Sequence, residues 1–157
     1  MELNKKYKTL FDKNGINTPL RISHFLAQLD HESGGFKYLT ELGGRSYFNK
    51  YEGRKDLGNI YPGDGYKFRG RGYIQITGRA NYTELSKDTN IDFVKNPDLL
   101  TEEANAMISA LWFWNKRKLN QYADKDDIKT ITKRINGGYN GFEHRKQLLE
   151  KYKKQLL

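Results

Sequence analysis

Apolar side chains recur every three or four residues along most of the chain, a spacing typical of helices that pack one face against a core. One stripe runs from Leu3 to Phe11 before Gly15 ends it. A second follows Thr18-Pro19, where threonine is a favoured N-cap and proline a favoured first helical residue, and it continues to about Glu32. Further helices are predicted over 45–51, over 78–87, after Asp126 or Asp127 as far as Gly137-Gly138, and over 142–152.

The segment 53–72 keeps neither the helical nor the strand period. It contains six glycines and Pro62, which predicts a long loop of the kind that often carries function. The next five residues, Tyr-Ile-Gln-Ile-Thr at 73–77, alternate in polarity and predict a short strand. The pattern therefore favours a mainly helical chain with at most a small β-hairpin.

The most apolar helix is predicted to begin at Thr101, as its N-cap. Two glutamates in its first turn suit the positive end of the helix dipole. Apolar residues then cover nearly every side, so we predict the central core helix; they are Ala104, Met107, Ile108, Leu111, Trp112 and Trp114.

The chain has 157 residues and no cysteine. This length suits one domain with its own core, and the interleaving of charged with apolar residues disfavours disorder. No apolar run is long enough to span a membrane, and the N-terminal segment lacks the apolar stretch of a secretory signal. The absence of cysteine excludes disulfides and thiolate metal sites, which fits production in a reducing cytoplasm.

The formal net charge is +9, from 28 basic and 19 acidic residues. Such a protein is attracted to polyanions, which include nucleic acid, anionic lipid and an acidic cell wall. The charge alone does not choose among them, and many lysines are expected simply to form a solvated face. The basic and aromatic residues of 67–73 fit a nucleic-acid interface only loosely.

Two carboxylates bracket a loop that follows the second helix. Glu32 closes that helix beside its apolar face, so we expect a partly buried side chain with a raised pKa. Glu41 lies beyond Gly34-Gly35 in a more open, polar segment, where it should stay ionised. Two acids in different environments are what glycoside hydrolysis requires. From these residues alone, a surface glutamate at a helix end and an unrelated loop glutamate remain the simpler interpretation.

Other catalytic motifs are weak. His31-Glu32 begins like a zinc-protease motif, but position 35 is glycine where the second histidine should stand. The chain has three histidines, so no metal site is predicted. No P-loop occurs, and Gly70-Arg71-Gly72 is too short for a dinucleotide fingerprint.

Five segments, read in order, form a specific pattern. They are His-Glu-Ser-Gly-Gly at 31–35, Glu41, the run 63–82 that contains Gly-Arg-Gly-Tyr-Ile-Gln-Ile-Thr, Ile-Asn-Gly-Gly at 135–138, and Arg145. Together they resemble glycoside hydrolase family 19, the chitinase-like branch of the lysozyme superfamily, over roughly residues 25–151. The resemblance is nearest to the short phage-endolysin branch, because Tyr73 replaces a proline common in chitinases and the chitinase cysteines are absent.

The resemblance implies a mainly α, lysozyme-like domain over residues 1–157, with two lobes, a central sugar cleft and no separate cell-wall-binding domain. Glu32 matches the general acid, Glu41 the general base as endolysins place it, and Thr77 a catalytic position where chitinases commonly have serine. The substrate-binding residues that the resemblance implies are His31, Tyr66, Arg71, Gln75, Ile76, Asn81, Tyr82, Asn136 and Arg145.

The expected activity is that of an endolysin, a muramidase that hydrolyses the β-1,4 glycan backbone of bacterial peptidoglycan for host lysis. Because Glu32 closes a helix and Glu41 lies on a separate loop, we expect the wide carboxyl spacing of inverting enzymes, about 6.5–9.5 Å. No cofactor is needed. We expect a monomer that is made in the host cytoplasm, binds peptidoglycan glycan strands rather than nucleic acid, does not insert stably in membranes, and reaches the periplasm or wall through a holin.

Three alternatives stay open. The chain could be a chitinase acting on N-acetylglucosamine polymers, a degenerate module that binds glycan without cutting it, or a nucleic-acid binder. The predicted site residues also have simpler readings: Gln75, Thr77 and Asn81 as residues with only local hydrogen bonds, Asn136 as a helix stop, and Arg145 as a surface residue.

Overall fold

The computed structural model describes residues 3–157, which divide into two compact units. Unit 1 contains the chain up to Gly35 together with Leu111–Leu157, and unit 2 contains Phe36–Ala110. The helix Glu103–Lys116 spans the boundary in sequence and supplies residues to both units. Across the described part of the chain, none of the helices has the length and apolar character needed to cross a membrane.

Helices dominate both units, and the prediction of a mainly helical chain is confirmed. The α-helices are α1 (Leu3–Lys6), α2 (Lys8–Lys13), α3 (Pro19–Glu32), α4 (Asp64–Lys67), α5 (Arg79–Thr89), α6 (Glu103–Lys116), α7 (Asn120–Asp124), α8 (Ile128–Asn136) and α9 (Phe142–Leu156). Short 3-10 helices cover Arg45–Tyr51, Lys55–Leu57 and Pro97–Thr101. Within residues 3–157, extended pairing is limited to two isolated bridges, Thr40 with Arg71 and Arg71 with Ile76.

The core of unit 1 forms where α3 packs against α9 and the C-terminal half of α6. Phe25 of α3 is fully buried, and its ring makes edge-to-face contacts with Phe11 and Trp114, each at 5.3 Å between centroids. Such geometry suits the charge distribution of aromatic rings. Tyr152 of α9 donates a hydrogen bond to the Asp30 carboxylate at 2.7 Å, which fixes α9 beside the end of α3.

The predicted helix caps in unit 1 are confirmed. The Thr18 hydroxyl accepts the Arg21 backbone N–H at 3.2 Å, and Pro19 is the first residue of α3. The Asp127 carboxylate accepts the Thr130 backbone N–H at 3.1 Å and starts α8, which ends at Gly137 in the left-handed region. Each cap satisfies a backbone group that the helix itself leaves free.

Charged side chains order the glycine-rich segment of unit 2. Asp64 is 1% exposed and accepts two hydrogen bonds from the Arg79 guanidinium, at 2.7 and 2.9 Å. The Glu52 carboxylate accepts the backbone N–H groups of Gly63 and Gly65 at the start of α4. These contacts act together with the fully buried Phe68, so the segment folds although its sequence has no hydrophobic period.

The strand predicted at 73–77 is wrong. The chain instead makes a tight turn, closed by two backbone hydrogen bonds between Arg71 and Ile76, at 3.1 and 2.9 Å. Tyr73 and Ile74 are adjacent yet both buried, at 3% and 5% exposure, which a strand with two distinct faces would not give. The apparent alternation came from a turn that buries neighbouring side chains.

Four smaller predictions also differ from the structure. The N-terminal stripe forms two short helices, α1 and α2, with Tyr7 between them. Thr101 does not cap α6, because its hydroxyl donates to the Asp98 carbonyl and it ends the preceding 3-10 helix. The 53–72 loop contains two short helical turns, and α7 was not predicted. Pieces this short carry too few apolar residues to show a period.

Candidate active site

Glu32 is the last residue of α3, and its side chain is 19% exposed. The Arg145 guanidinium of α9 donates to Glu32 Oε1 at 2.7 Å. Among residues 3–157, nothing donates a hydrogen bond to Glu32 Oε2. The surroundings of Glu32 are therefore not only apolar, as expected from its helix face, because a cation holds one carboxylate oxygen and leaves the other open.

Arg145 is 1% exposed, so its charge needs close partners. Besides Glu32, it donates to Gln28 Oε1 at 2.5 Å and to the Asn140 carbonyl at 3.1 Å. Gln28 is fully buried one helical turn before Glu32, and its amide donates to the Thr132 hydroxyl at 3.4 Å. This chain of contacts fixes the guanidinium, so Arg145 is a positioning group for Glu32 rather than the surface residue of the simpler reading.

His31 lies beside this network. Its Nδ1 is 2.8 Å from Nδ1 of His144, so one ring donates and the other accepts. Burial, the Arg145 charge and His144 together lower the pKa of His31 from 6.5 to about 4. Gly141 contacts the His31 ring so closely that a β-carbon there would clash with it, and Gly141 also has a φ of +71°.

Asn136 is exposed at the end of α8. Its side-chain oxygen accepts the backbone N–H of Asn140 at 3.2 Å, which shapes the turn between α8 and α9. Both the helix-stop interpretation and the predicted sugar contact fit this placement, because the amide nitrogen remains at the surface.

Glu41 belongs to unit 2 and is held by several donors. The Tyr51 hydroxyl donates to Oε2 at 2.8 Å, the Gly70 backbone N–H donates to Oε1 at 3.2 Å, and the Lys50 ammonium lies 4.0 Å from Oε2. Burial and the Glu41 charge raise the pKa of Tyr51, because both disfavour a phenolate, so its hydroxyl remains a donor. At 20% exposure Glu41 is not more open than Glu32, contrary to the expectation from its loop.

Three predicted site residues lie close together beside Gly70. A methyl group built on it would lie 2.7 Å from Gln75 Oε1, 3.0 Å from Glu41 Oε1 and 3.2 Å from Thr77 Oγ1. The structure therefore brings Glu41, Gln75 and Thr77 together around a position that must lack a side chain.

The turn at 71–76 positions the side chains of Gln75 and Thr77. Gln75 adopts a φ of 62°, unusual for a residue with a side chain, and its amide donates to the Gly72 carbonyl at 2.9 Å. The Thr77 hydroxyl donates to the Gln75 carbonyl at 3.1 Å, and Asn81 donates to the Thr77 carbonyl at 2.8 Å. Local backbone strain of this kind is often found at functional sites.

Four predicted sugar-binding side chains are buried, namely Arg145 in unit 1, as described above, and three in unit 2. Tyr82 is fully buried, with its hydroxyl between the Arg69 carbonyl at 2.5 Å and Arg71 Nη1 at 3.0 Å, and burial raises its pKa to about 12. Arg71 is 3% exposed and Ile76 is 2% exposed. With their polar groups satisfied inside unit 2, these residues support the turn and present little surface to a sugar.

Tyr66 is partly exposed between two arginines. The guanidinium carbons of Arg45 and Arg69 lie 4.2 and 4.1 Å from its ring centroid, a cation–π arrangement on each. The predicted sugar contact of Tyr66 therefore remains compatible with its placement in unit 2.

Several functional neighbours escaped the sequence interpretation. Gln28 could have been found, since a residue four positions before Glu32 shares its helix face. Tyr51 and Gly70 lie in segments that had been singled out, but only the fold shows that they donate to Glu41. The contacts that His144 and Asn140 make are not predicted by any spacing in the sequence. No group of three potential metal ligands of the His, Cys, Asp and Glu types is found in residues 3–157.

Comparison with known proteins identifies the family of this chain. A family model described as "Chitinase class I" matches residues 7–133. A Haemophilus influenzae protein named as containing a glycosyl hydrolase family 19 domain is 34% identical over 165 aligned residues, covering 87% of this chain and 80% of that protein. The chain belongs to glycosyl hydrolase family 19. The expectation of a glycoside hydrolase is thereby confirmed at the level of the family.

Other family 19 proteins are longer. An Arabidopsis thaliana endochitinase is 34% identical over 119 residues, which are 74% of this chain but 39% of that protein. Chitinase C from Streptomyces griseus superposes with a TM-score of 0.72 at 22% identity, over 88% of this chain and 60% of that one. A class IV family 19 chitinase from Zea mays superposes with a TM-score of 0.68 at 22% identity, over 88% of this chain and 69% of that one. The predicted lysozyme-like family 19 fold is confirmed.

His31 provides a test of the geometry of unit 1. Because the fold favours its neutral ring, its contribution to the free energy of unfolding is complete above pH 6.5 and declines as the pH falls from 6.5 towards 4. Proton–carbon NMR of the ring should give a titration midpoint near 4, and Arg145→Gln should raise it towards 6.5 by removing a nearby cation. A wild-type midpoint near 6.5 would show that this arrangement does not exist in solution.

Proposed function

We propose that this family 19 protein is a muramidase that cleaves the β-1,4 glycan backbone of peptidoglycan with inversion, using Glu32 and Glu41. The observation that carries the proposal is that each unit holds one of the two acids in a defined set of donors. Two carboxyl groups and a water are sufficient for this reaction, so no cofactor is required.

Glu32 serves as the general acid in this proposal. Arg145 holds Oε1, so Oε2 is the oxygen that carries the proton to the leaving sugar. Because Gln28 and the Asn140 carbonyl fix the guanidinium, the direction in which Glu32 presents Oε2 is preorganised.

Glu41 serves as the general base. The donors on both of its oxygens suit a carboxylate that accepts a proton from water. Thr77 and Gln75 lie beside it. In this proposal the Thr77 hydroxyl and the Gln75 side-chain amide steady that water and the sugar N-acetyl group. Asn81 supports Thr77 through its carbonyl.

Peptidoglycan is proposed as the substrate because the net charge of +9 suits an anionic wall. The accompanying biology follows as part of the proposal: an endolysin made in the host cytoplasm, released through a holin, and acting as a monomer on glycan strands. Chitin is the second candidate, and it is favoured by the endochitinase names of several relatives.

Mass spectrometry of the products tests both the substrate and the acid. Digested peptidoglycan should release fragments with reducing-end muramic acid, faster than the protein releases sugars from chitin oligomers. Glu32→Gln should lower the rate by ~10²–10⁴-fold at a temperature at which the variant remains folded, because it removes the transferable proton and keeps the shape.

The matched control for that substitution is Glu150→Gln, at an exposed position on α9. It should retain wild-type rates. If Glu32→Gln kept a third or more of the activity, the acid would have to lie elsewhere, and faster release from chitin would favour the chitinase alternative.

Gly70→Ala tests the grouping around Glu41. The added methyl group would displace Gln75 and the Glu41 carboxylate, and a misplacement of about 1 Å can cost on the order of 10²-fold in rate. Gly44→Ala is the control, since nothing lies within 4 Å of its β-carbon and its φ is −81°. Equal activities for the two variants would contradict the proposed role of this cluster.

The stereochemistry tests the single displacement. With Glu41 activating water on one face and Glu32 protonating the leaving oxygen on the other, a β-linked glycan should give the α-anomer first. Proton NMR of fresh digests, read before mutarotation, measures this directly. A β-anomer would require Glu41 to be a nucleophile instead of a base.

A further inference from the structure

The positive charge is divided very unequally between the two units. Unit 1 carries 17 of the 28 basic residues and 9 of the 19 acidic ones, whereas unit 2 carries 11 and 10. Their formal charges are therefore +8 and +1. Attraction to an anionic polymer must come mainly from unit 1, which also holds the proposed acid.

Within unit 1, lysines gather over two aromatic rings at the α8–α9 connection. Tyr139 is 46% exposed, and the ammonium groups of Lys129 and Lys133 lie 5.5 and 5.3 Å from its ring centroid. Phe142 packs edge-on against Tyr139 at 6.3 Å, and the Lys146 ammonium lies 5.5 Å from the Phe142 ring. We call these five residues the Tyr139 cluster.

Helix stability explains Lys133 but not Lys129, because Lys133 lies in the last turn of α8, where a cation suits the helix dipole, and Lys129 lies in the first turn. Lys129 and Lys133 are one turn apart on α8, where like charges repel each other. Neither has an acidic partner within 4.0 Å in the part of the chain that the structure describes. Their charge is thus available to a ligand, with a tyrosine ring exposed between them.

The Tyr139 cluster adjoins the Glu32 half-site. Asn140 follows Tyr139 directly, and its carbonyl accepts a hydrogen bond from Arg145, which in turn holds Glu32. Asn136, a predicted sugar-binding residue, lies one turn beyond Lys133 on the same side of α8. A glycan chain that reached Glu32 in unit 1 would therefore have these cations within its span.

We propose that the Tyr139 cluster is a binding site for a carboxylate-bearing glycan strand, and that it selects peptidoglycan over neutral chitin. The Tyr139 ring packs against a sugar face, while Lys129 and Lys133 neutralise carboxylates of the stem peptides that branch from the strand. This inference rests on the proposed peptidoglycan activity and assigns part of its substrate preference to named side chains. A neutral polymer of N-acetylglucosamine gains nothing from the lysines.

Binding in the absence of turnover provides the test. In a Glu32→Gln background, cosedimentation with purified sacculi stripped of phosphate polymers should show that Lys129→Gln/Lys133→Gln weakens binding on the order of tenfold. The control Lys13→Gln/Lys154→Gln removes the same charge from exposed positions elsewhere in unit 1. Equal weakening by the two pairs would overturn the proposal, because it would show only an effect of net charge.

Two further arms identify the ligand chemistry. Amidating the sacculus carboxylates with a carbodiimide and ammonia should abolish the difference in binding between the Lys129→Gln/Lys133→Gln variant and the background without these two substitutions. Binding to chitin should be the same for both proteins. A difference that appeared only on sacculi retaining phosphate polymers, or persisted after amidation, would overturn the assignment to carboxylates.

Aromatic stacking has its own variant. Tyr139→Ala should weaken binding to intact sacculi and to amidated sacculi alike, while Tyr139→Phe should retain it, because the ring and not the hydroxyl contacts the sugar. Unchanged binding by Tyr139→Ala would remove the ring from the site. The outcome of these binding measurements is independent of the test of the proposed function. That test is whether digests by the unsubstituted protein contain muramic acid.

Discussion

The buried guanidinium of Arg145 is the constraint on which unit 1 depends. A charge at 1% exposure must be fully partnered, and breaking a buried pair by removing one member costs about 3–5 kcal/mol. This need for partners fixes the positions of Glu32 and Gln28 on α3 and of the Asn140 carbonyl before α9. The contact that holds the proposed acid is therefore also part of what holds two helices together, so function and stability are not separable at this residue.

In unit 2, a backbone group helps to hold the carboxylate. Glu41 lies on a segment without regular structure, and its donors are a main-chain N–H and a tyrosine hydroxyl. The close approach of Gln75 and Thr77 is possible because Gly70 has no side chain, and because Gln75 accepts an unfavourable φ. The buried Arg71 and Tyr82 stabilise the turn that imposes this conformation.

Sequence alone predicted what depends on local pattern. Thr18 was predicted as one cap and Asp126 or Asp127 as another, and the structure selects Asp127; capping is a short-range interaction that sequence can show. The helices α3 and α9 were predicted because their apolar periods are long. The turn at 71–76 was mistaken for a strand, since neighbouring residues both turn inward there. The partners of the two acids were largely missed, because Tyr51 and Arg145 reach them through tertiary contacts. Motif resemblance indicated Glu32, Glu41 and Arg145 as site residues, but not that Arg145 holds Glu32 or that Tyr51 and Gly70 donate to Glu41.

The discontinuity of unit 1 has a consequence for biosynthesis. Unit 2 is one uninterrupted stretch of chain, whereas Glu32 and Arg145 are 113 positions apart in sequence. Chains emerge from the ribosome with the N-terminal end first, and closing a long loop costs more entropy than closing a short one. Residues 36–110 are thus available for folding while α3 still lacks α9. The carboxylate of Glu32 acquires its guanidinium only when α9 has left the ribosome, so this half-site is completed after residues 36–110 have been synthesised.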